Sequence, residues 1–553
     1  MNVAQAVGET LVRCGVGTVV GVVGSGNFHA TNAMVAAGAR YVAARHEGGA
    51  ATIADAYARM SGTVAALSLH QGCGLTNALT GITEAAKSRT PLVVVTAEAT
   101  SPRSNFAVDQ TALAEAVGAV PMRVTAARDA VAVATRAFTT ARDDRRVVVL
   151  NLPLDVQAEE APAGPGTAPE VTAVPAPAPA DVAALAEALG RARRPVFVAG
   201  RGARGYRAEL AELAGRCGAL LATSAVARGL FRGDPWDLDV SGGFATPLAA
   251  ELVAGADLVV GWGCALNMWT TRHGRLIADG AVVAQVDLEA GALGAQRPVD
   301  LGVVGDVGAV ARAVGAAIAG GGVGRGVGGG TGGGAGYRTD DVRRTLAARR
   351  RWRDEPYDDA GGDGLVDPRT FTAALDDLLP AERVVAVDSG NFMGYPSMFL
   401  DVPDESGFCF TQAFQSVGLG LATAIGAALA RPDRLPVAAL GDGGALMGAS
   451  ELETVARLGL PMVVVVYDDA GYGAEVHHFG PDGHPLDTVR FPETDFAAIA
   501  RGHGFTAVTV RDPGDLARVG EWLAGPRDTP LLVDAKVTRD RPSWWLEEAF
   551  RGH

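Results

Sequence analysis

Cysteine is scarce and scattered in this chain. Its five cysteines, Cys14, Cys73, Cys217, Cys264 and Cys409, are odd in number and form no CxxC pair. That pattern excludes a disulfide scaffold and a thiolate zinc site, and it implies a reducing compartment. Long apolar runs are also missing. No stretch of 18 apolar residues occurs, so no membrane-spanning helix is expected. The first fifteen residues hold no charged segment leading into an apolar one, so no secretory signal is expected and the cytoplasm is the expected location. Basic runs are absent too. Lys and Arg number 48 against 62 Asp and Glu, a net charge of −14. An acidic balance without a basic patch argues against nucleic acid and against an anionic membrane surface as partners.

What is present is an ordinary globular composition with one anomaly. Apolar residues make up 48% and charged residues 20%, which excludes disorder over the whole chain. At roughly 100–200 residues per domain, 553 residues predict three or four domains. Glycine is the anomaly: 73 residues, about double average usage, with no collagen-like period. Either the glycines form a linker or they build turns that approach a ligand.

Two low-complexity stretches divide the chain. Six prolines fall between Pro162 and Pro179, predicting an extended connector. Twelve glycines fall in the 17 residues from Gly320 to Gly336, predicting a flexible linker. The expected division is a first domain at 1–160, a connector at 161–180, a middle domain at 181–319, a linker at 320–336 and a third domain at 337–553. Short Val/Leu-rich runs alternate with Ala-rich helical patterns throughout. Runs at 18–23, 63–68, 92–96 and 147–150 read as buried strands, with helices near 49–60 and 77–88. Further runs lie at 195–199, 258–261 and 282–286, with another ending near 220–224, and then at 384–387, 436–440, 462–467 and 530–533. Uninterrupted apolar strands between helices predict an α/β protein of three doubly wound parallel sheets. Ligands in such sheets bind at the carboxyl ends of strands.

One such end carries Gly441-Asp442-Gly443-Gly444, followed by a helical pattern near 449–458. The next strand runs into Asp468-Asp469-Ala470-Gly471-Tyr472-Gly473. Two carboxylates at the ends of adjacent strands can converge on one hard cation, which commonly takes one or two carboxylates plus phosphate oxygens. The glycines admit a phosphate close to the backbone. Taken alone, GDG reads as a tight turn and DD as a helix cap; their spacing from strand to strand favours the cation reading.

That arrangement resembles the motif of the thiamine diphosphate-dependent family of acetolactate synthases, 2-oxo acid decarboxylases and benzaldehyde lyases. The resemblance extends over essentially the whole chain. It implies a pyrimidine-binding, a middle and a diphosphate-binding domain, with thiamine diphosphate and Mg²⁺ as cofactors. It makes Asp442, Asp469 and the Gly471 carbonyl the metal ligands, with Gly441, Gly443, Gly444, Tyr472 and Gly473 around the diphosphate. Most relatives have Asn at Asp468 and Asp469. A second ligating carboxylate predicts tighter metal binding and weaker attraction for the diphosphate.

Other positions follow the same resemblance. Glu47, in Arg45-His46-Glu47-Gly48-Gly49, matches the glutamate that bonds the cofactor's aminopyrimidine; read alone it is a dipole partner at a helix start. Phe414-Gln415-Ser416-Val417-Gly418 is similar to the loop that cups the cofactor, with Val417 as its prop and Gln415 at the pyrimidine edge. Gly390, Asn391 and Phe392, after the strand at 384–387, look like a second diphosphate loop. The turn His70-Gln71-Gly72-Cys73-Gly74, ending at Asn77, matches one that faces the active site. Gln110 matches a substrate-contacting glutamine. His29 and His70 are candidate proton donors near neutral pH, or else ordinary structural or exposed histidines. Glu475 stands where decarboxylases carry a catalytic glutamate, or else it belongs to a solvated Glu–His helix face.

Gly200-Arg201-Gly202-Ala203-Arg204-Gly205 formally matches a dinucleotide fingerprint, which makes a nicotinamide dehydrogenase the rival class. The acidic residue that fingerprint needs at the end of the next strand is missing near 220–224, and FAD is not expected. The resemblance implies a homodimer at least, or a homotetramer, with active sites between subunits. Its reaction is acetolactate synthase-like carboligation or decarboxylation of a 2-oxo acid. Benzaldehyde lyase-like cleavage of a hydroxyketone is the alternative, and a non-catalytic relative a further one.

Overall fold

The computed structural model describes residues 1–161, 164–171, 174, 176–320 and 336–549. Residues 321–335, the body of the expected glycine linker, lie outside the described residues. Eighteen strands among those described form three six-stranded sheets, and every pairing within them is parallel. The first sheet holds β1 (Thr18–Gly21), β2 (Arg40–Ala43), β3 (Ala65–Leu69), β4 (Leu92–Glu98), β5 (Val120–Arg123) and β6 (Val147–Pro153), in the order β2-β1-β3-β4-β6-β5. The second holds β7 (Pro195–Ala199), β8 (Leu220–Thr223), β9 (Asp237–Val240), β10 (Leu258–Trp262), β11 (Val282–Asp287) and β12 (Leu301–Val304), in the order β12-β11-β10-β7-β8-β9. The third holds β13 (Arg383–Val387), β14 (Phe408–Phe410), β15 (Leu435–Gly441), β16 (Val463–Asp468), β17 (Thr506–Val510) and β18 (Leu531–Lys536), in the order β14-β13-β15-β16-β18-β17.

The inner strands are those read from the sequence, because strands covered on both faces are continuously apolar. The six edge strands β2, β5, β9, β12, β14 and β17 carry partly exposed or mixed residues and gave no such signal. The helical pattern expected near 449–458 is two short helices, Asp442–Met447 and Glu451–Arg457, with the break at Gly448–Ser450. No helix among the described residues is long and apolar enough to cross a membrane.

The first and third sheets meet through two small-residue helices. Glu47–Ser61 and Gly420–Ala430 pack closely, and both contribute to one hydrophobic core. A Cβ at Gly426 would collide with the Ile53 carbonyl, so glycine sets the closeness of this contact. A buried ion cluster locks the same junction. Arg59 donates to Asp55 at 2.6 Å and to Glu84 at 2.7 Å. Glu84 in turn accepts from the backbone N–H groups of Ala413 and Phe414 at 3.1 and 2.6 Å.

Candidate active site

The third sheet assembles one half of the site. Asp442 opens its helix directly after β15, and its carboxylate accepts from the N–H of Gly443 at 2.8 Å and of Gly471 at 3.0 Å. That second bond joins the loops after β15 and β16. Ala470 takes a left-handed backbone (φ 53°) between Asp469 and Gly471, and its N–H is held by Asp468 at 3.0 Å. Burial raises Asp442 to about 6, with neighbouring Asp468 adding to it. Burial, followed by the charges of Asp442 and Asp468, raises Asp469 to about 8. These groups favour a proton or a cation over bare negative charge. A Cβ at Gly443 would lie 2.9 Å from the Tyr472 ring, and one at Gly473 would strike Asp469. Gly441 lies beneath Phe392, which stacks on Tyr467 with ring centres 5.4 Å apart.

Asn391 links this half to the carboxyl-terminal segment. Its side-chain oxygen accepts from Ser543 N–H at 3.0 Å, and its carbonyl accepts from Ser543 Oγ at 2.6 Å and Trp545 Nε1 at 2.9 Å. Its amide is left to face Asp469, which it bonds. Asp388, wholly buried at the end of β13, accepts from Ser389 at 2.8 Å, from Gly418 at 3.0 Å and from Leu419 at 3.2 Å. It ties the loop of Gly390 to the loop of Val417. Burial raises it to about 6 against those backbone donors. Gln415 (φ 59°) and Gly418 (φ 91°) form the bend that leaves Phe414 and Val417 exposed. A Cβ at Gly444 would collide with Asp388 and approach Val417.

The first sheet supplies a second half. Glu47 is the first residue of its helix, capped by His46 Nδ1 accepting from Gly48 at 3.0 Å. Asn77 Nδ2 donates to Glu47 at 3.1 Å. His70 stands at 3.5 Å from Ser25 Oγ, bonds the Gln71 carbonyl at 3.0 Å and meets the Phe106 ring edge-on. His29 is exposed beside Phe28. Gln110, the expected substrate contact, opens the helix Gln110–Ala116. It is buried, accepts from Gly72 N–H at 2.9 Å and donates to the Ala97 carbonyl at 3.0 Å and to Asn151 at 2.7 Å. Both of its donors are committed inside the domain, so it braces the Gly72 turn. Glu475 is exposed on the helix Gly473–Phe479. Among the described residues no hydrogen bond joins Glu47 or Asn77 to Asp442 or Asp469.

Comparison with known proteins decides what these halves are. The chain matches the models described as the N-terminal, central and C-terminal domains of thiamine pyrophosphate enzymes, over residues 1–122, 182–314 and 388–535. The chain belongs to the thiamine diphosphate-dependent enzymes. It is 28% identical to a sulfoacetaldehyde acetyltransferase of Rhodobacter capsulatus over 100% of this chain and 96% of that protein. It is 28% identical to an acetolactate synthase large subunit of Parasynechococcus marenigrum, over 97% and 87%. A benzoylformate decarboxylase of Pseudomonas aeruginosa is also 28% identical, over 92% of each.

In this thiamine diphosphate enzyme the residues at the two strand ends that could act on a cation are the carboxylates Asp442 and Asp469. Among the described residues no cluster of three or more His, Cys, Asp or Glu side chains forms a closed metal cage. Two carboxylates alone would leave most positions around a hard cation to other oxygens, so the residues present fit a cation only together with further ligands. The glycine loop of the middle domain offers no such cradle. Gly200 N–H bonds the Trp262 carbonyl at 2.9 Å and Gly202 N–H the Gly263 carbonyl at 3.1 Å; Ala203 and Arg204 bond within the turn. Arg201 and Arg204 point into the protein, to the Ser88 and Val226 carbonyls, and burial lowers Arg201 to about 9. These amides are not available to a pyrophosphate.

Sequence reasoning placed Asp388 in the second diphosphate loop, Asp388-Ser389-Gly390-Asn391-Phe392, without giving it a role, and missed Glu84, Glu451, Lys536, Ser543 and Trp545. Glu84 and Glu451 act across domains, Ser543 and Trp545 from the tail, and Lys536 through the register of β18 with β16, where no local pattern marks them.

Proposed function

We propose that the chain is a Mg²⁺- and thiamine diphosphate-dependent, acetolactate synthase-like enzyme acting on a 2-oxo acid, by decarboxylation, by carboligation to a second carbonyl, or by both. The observation that carries this reading is the pair of half-buried carboxylates Asp442 and Asp469 at the ends of the paired strands β15 and β16, whose loops are joined by the Gly471 N–H donating to Asp442 at 3.0 Å. Their side chains and the Gly471 carbonyl hold Mg²⁺, and the loops of Gly441, Gly443, Gly473, Gly390 and Asn391 hold the diphosphate. When bound, thiamine diphosphate supplies the electron sink for breaking a bond beside a carbonyl. Glu47 holds a proton at the pyrimidine edge, and Asn77 restrains its carboxylate. Val417 supports the cofactor from below, with the Gln415 carbonyl beside it.

His70, tethered by Ser25 and the Gln71 carbonyl, and the freer His29 serve as proton donors on the substrate side. Glu475, exposed on the helix that follows the Gly473 loop, serves as a further proton donor. Exposed Phe28 and Phe106 in the first domain with Glu47, and exposed Phe414, Met447 and Tyr472 beside the diphosphate loops, support a homodimer or homotetramer that completes each site between subunits. The domain division we assign is pyrimidine-binding 1–160, middle 181–319 and diphosphate-binding 337–553. Relatives named as an acetyltransferase, a synthase and a decarboxylase support the class and leave the acceptor to experiment. The test is holoenzyme incubated with a panel of 2-oxo acids. CO₂ with an aldehyde assigns decarboxylation, and CO₂ with a hydroxyketone assigns carboligation. Cleavage of hydroxyketones without CO₂ replaces this reading with a lyase, and no turnover of either class overturns it.

A further inference from the structure

Behind the Asp469 turn lies a buried charge cluster that the proposed reaction does not use. Asp468 ends β16 and Lys536 ends β18, and the two residues are directly paired in register. Lys536 Nζ donates to Asp468 Oδ2 at 2.5 Å and to the Thr494 carbonyl at 2.6 Å. Asp534, two residues earlier on the same face of β18, lies 2.9 Å from Nζ as an ion pair without hydrogen-bond geometry. Glu493 is the remaining carboxylate nearby, at 3.9 Å, and it also pairs with Arg511. The side chains of Lys536, Asp468 and Asp534 are 3%, 1% and 1% exposed. A buried lysine is otherwise driven toward neutrality; here the two carboxylates outweigh burial and hold it charged.

The other Asp468 oxygen accepts from Ala470 N–H at 3.0 Å. Both oxygens are thus committed away from Asp442 and Asp469. Asp468 and Asp534 share one buried ammonium, while among the described residues Asp442 and Asp469 have no ion pair with it. Without it, Asp468 would leave an uncompensated charge beside the place where a diphosphate arrives.

We propose that Lys536 is a positioning residue of the cofactor site: it pins and neutralises Asp468, so that Asp469 alone of that pair faces the cation and Asp468 adds no further negative charge against the diphosphate. This rests on the thiamine diphosphate reading of the site. Its test uses the full-length protein and four variants: Lys536→Met, Lys536→Arg, Asp468→Asn, and Lys536→Met with Asp468→Asn. Mg²⁺ is titrated into cofactor-free protein, and thiamine diphosphate is then titrated at saturating Mg²⁺, both by calorimetry.

For Lys536→Met the expected result is about a tenfold loss of thiamine diphosphate affinity with Mg²⁺ affinity not lowered. A merely structural lysine would lower both. Adding Asp468→Asn should restore cofactor affinity to within about threefold, because the charge that needed neutralising is gone. Asp468→Asn alone and Lys536→Arg should bind nearly as the parent does. If Lys536→Met does not fold, the double variant should, and its cofactor affinity then decides. The inference is overturned if Lys536→Met binds cofactor normally, if it loses both ligands equally, or if the double variant fails to fold or to recover. If the unaltered protein binds no thiamine diphosphate, the functional reading itself falls and this inference with it. Binding by the parent without rescue removes this inference alone.

Discussion

The carboxylate of Glu451 lies beneath the backbone of His46, the residue before Glu47. Its Oε1 accepts from the N–H groups of Arg45 and His46, both at 3.1 Å, and Oε2 accepts from Thr454 at 2.6 Å. A Cβ at Gly49 would collide with the same carboxylate. A residue nine positions after Asp442 thus sets the start of the helix that presents Glu47. Replacing Glu451 by Ala strands two backbone donors and costs about 2 kcal/mol. Denaturant unfolding should show that loss, and kcat should fall while KM changes little. An unchanged kcat would mean that Glu451 only packs.

Protonation of the cation site sets a pH dependence. Asp442 at about 6 and Asp469 at about 8 stand above their unfolded values near 3.8. Between about pH 4 and 8 the cation-free folded protein therefore binds more protons than the unfolded chain, and its stability falls as pH rises, by up to about 1.4 kcal/mol per pH unit per proton. Mg²⁺ needs both groups ionised. It should bind more tightly at pH 8 than at pH 6, release protons on binding, and raise the melting temperature more at the higher pH. A Mg²⁺ stabilisation independent of pH would contradict this.

Gln110 separates a bracing role from a substrate contact. Gln110→Ala removes an acceptor from Gly72 and donors from Asn151 and Ala97. Stability should drop by about 1–3 kcal/mol, with KM within about twofold of the parent. A large rise in KM at unchanged stability would return Gln110 to the substrate.

Glu47→Gln keeps the size of the side chain and its contact with Asn77 but removes the carboxylate. Turnover should fall by about 10²–10⁴-fold, the range for losing a positioned acid–base group. Thiamine diphosphate binding, which depends on the other half-site, should persist. Proton exchange at the cofactor measured by NMR reads the difference directly; rapid exchange in the variant would refute the role of Glu47.

The inner strands and strand-end carboxylates could be read along the chain because their causes are local. A strand covered on both faces must be apolar throughout, so β3, β4, β6, β7, β10, β11, β13, β15, β16 and β18 stand out as Val/Leu runs. The charged or glycine-rich residues that follow them mark the ligand side, which is how Asp442, Asp469 and the Gly390 loop were found. The alternation of apolar runs with Ala-rich helical patterns likewise pointed to the α/β class of three parallel sheets.

What the chain alone left open was set by contacts between segments distant in sequence. Edge strands such as β2 and β14 have one neighbour and mixed faces, so only the sheet beside them defines them. Glu451 and Glu84 look like ordinary helix glutamates until the helices Glu47–Ser61 and Gly420–Ala430 bring the first and third sheets together. Gln110 reads as a free polar side chain until Gly72, Ala97 and Asn151 close around it. Lys536 becomes a partner of Asp468 only through the register of β16 with β18. Hydrophobic periodicity is written residue by residue, whereas the partner of a buried charge is chosen by the packing of strands and domains, and that packing exists only in the folded molecule.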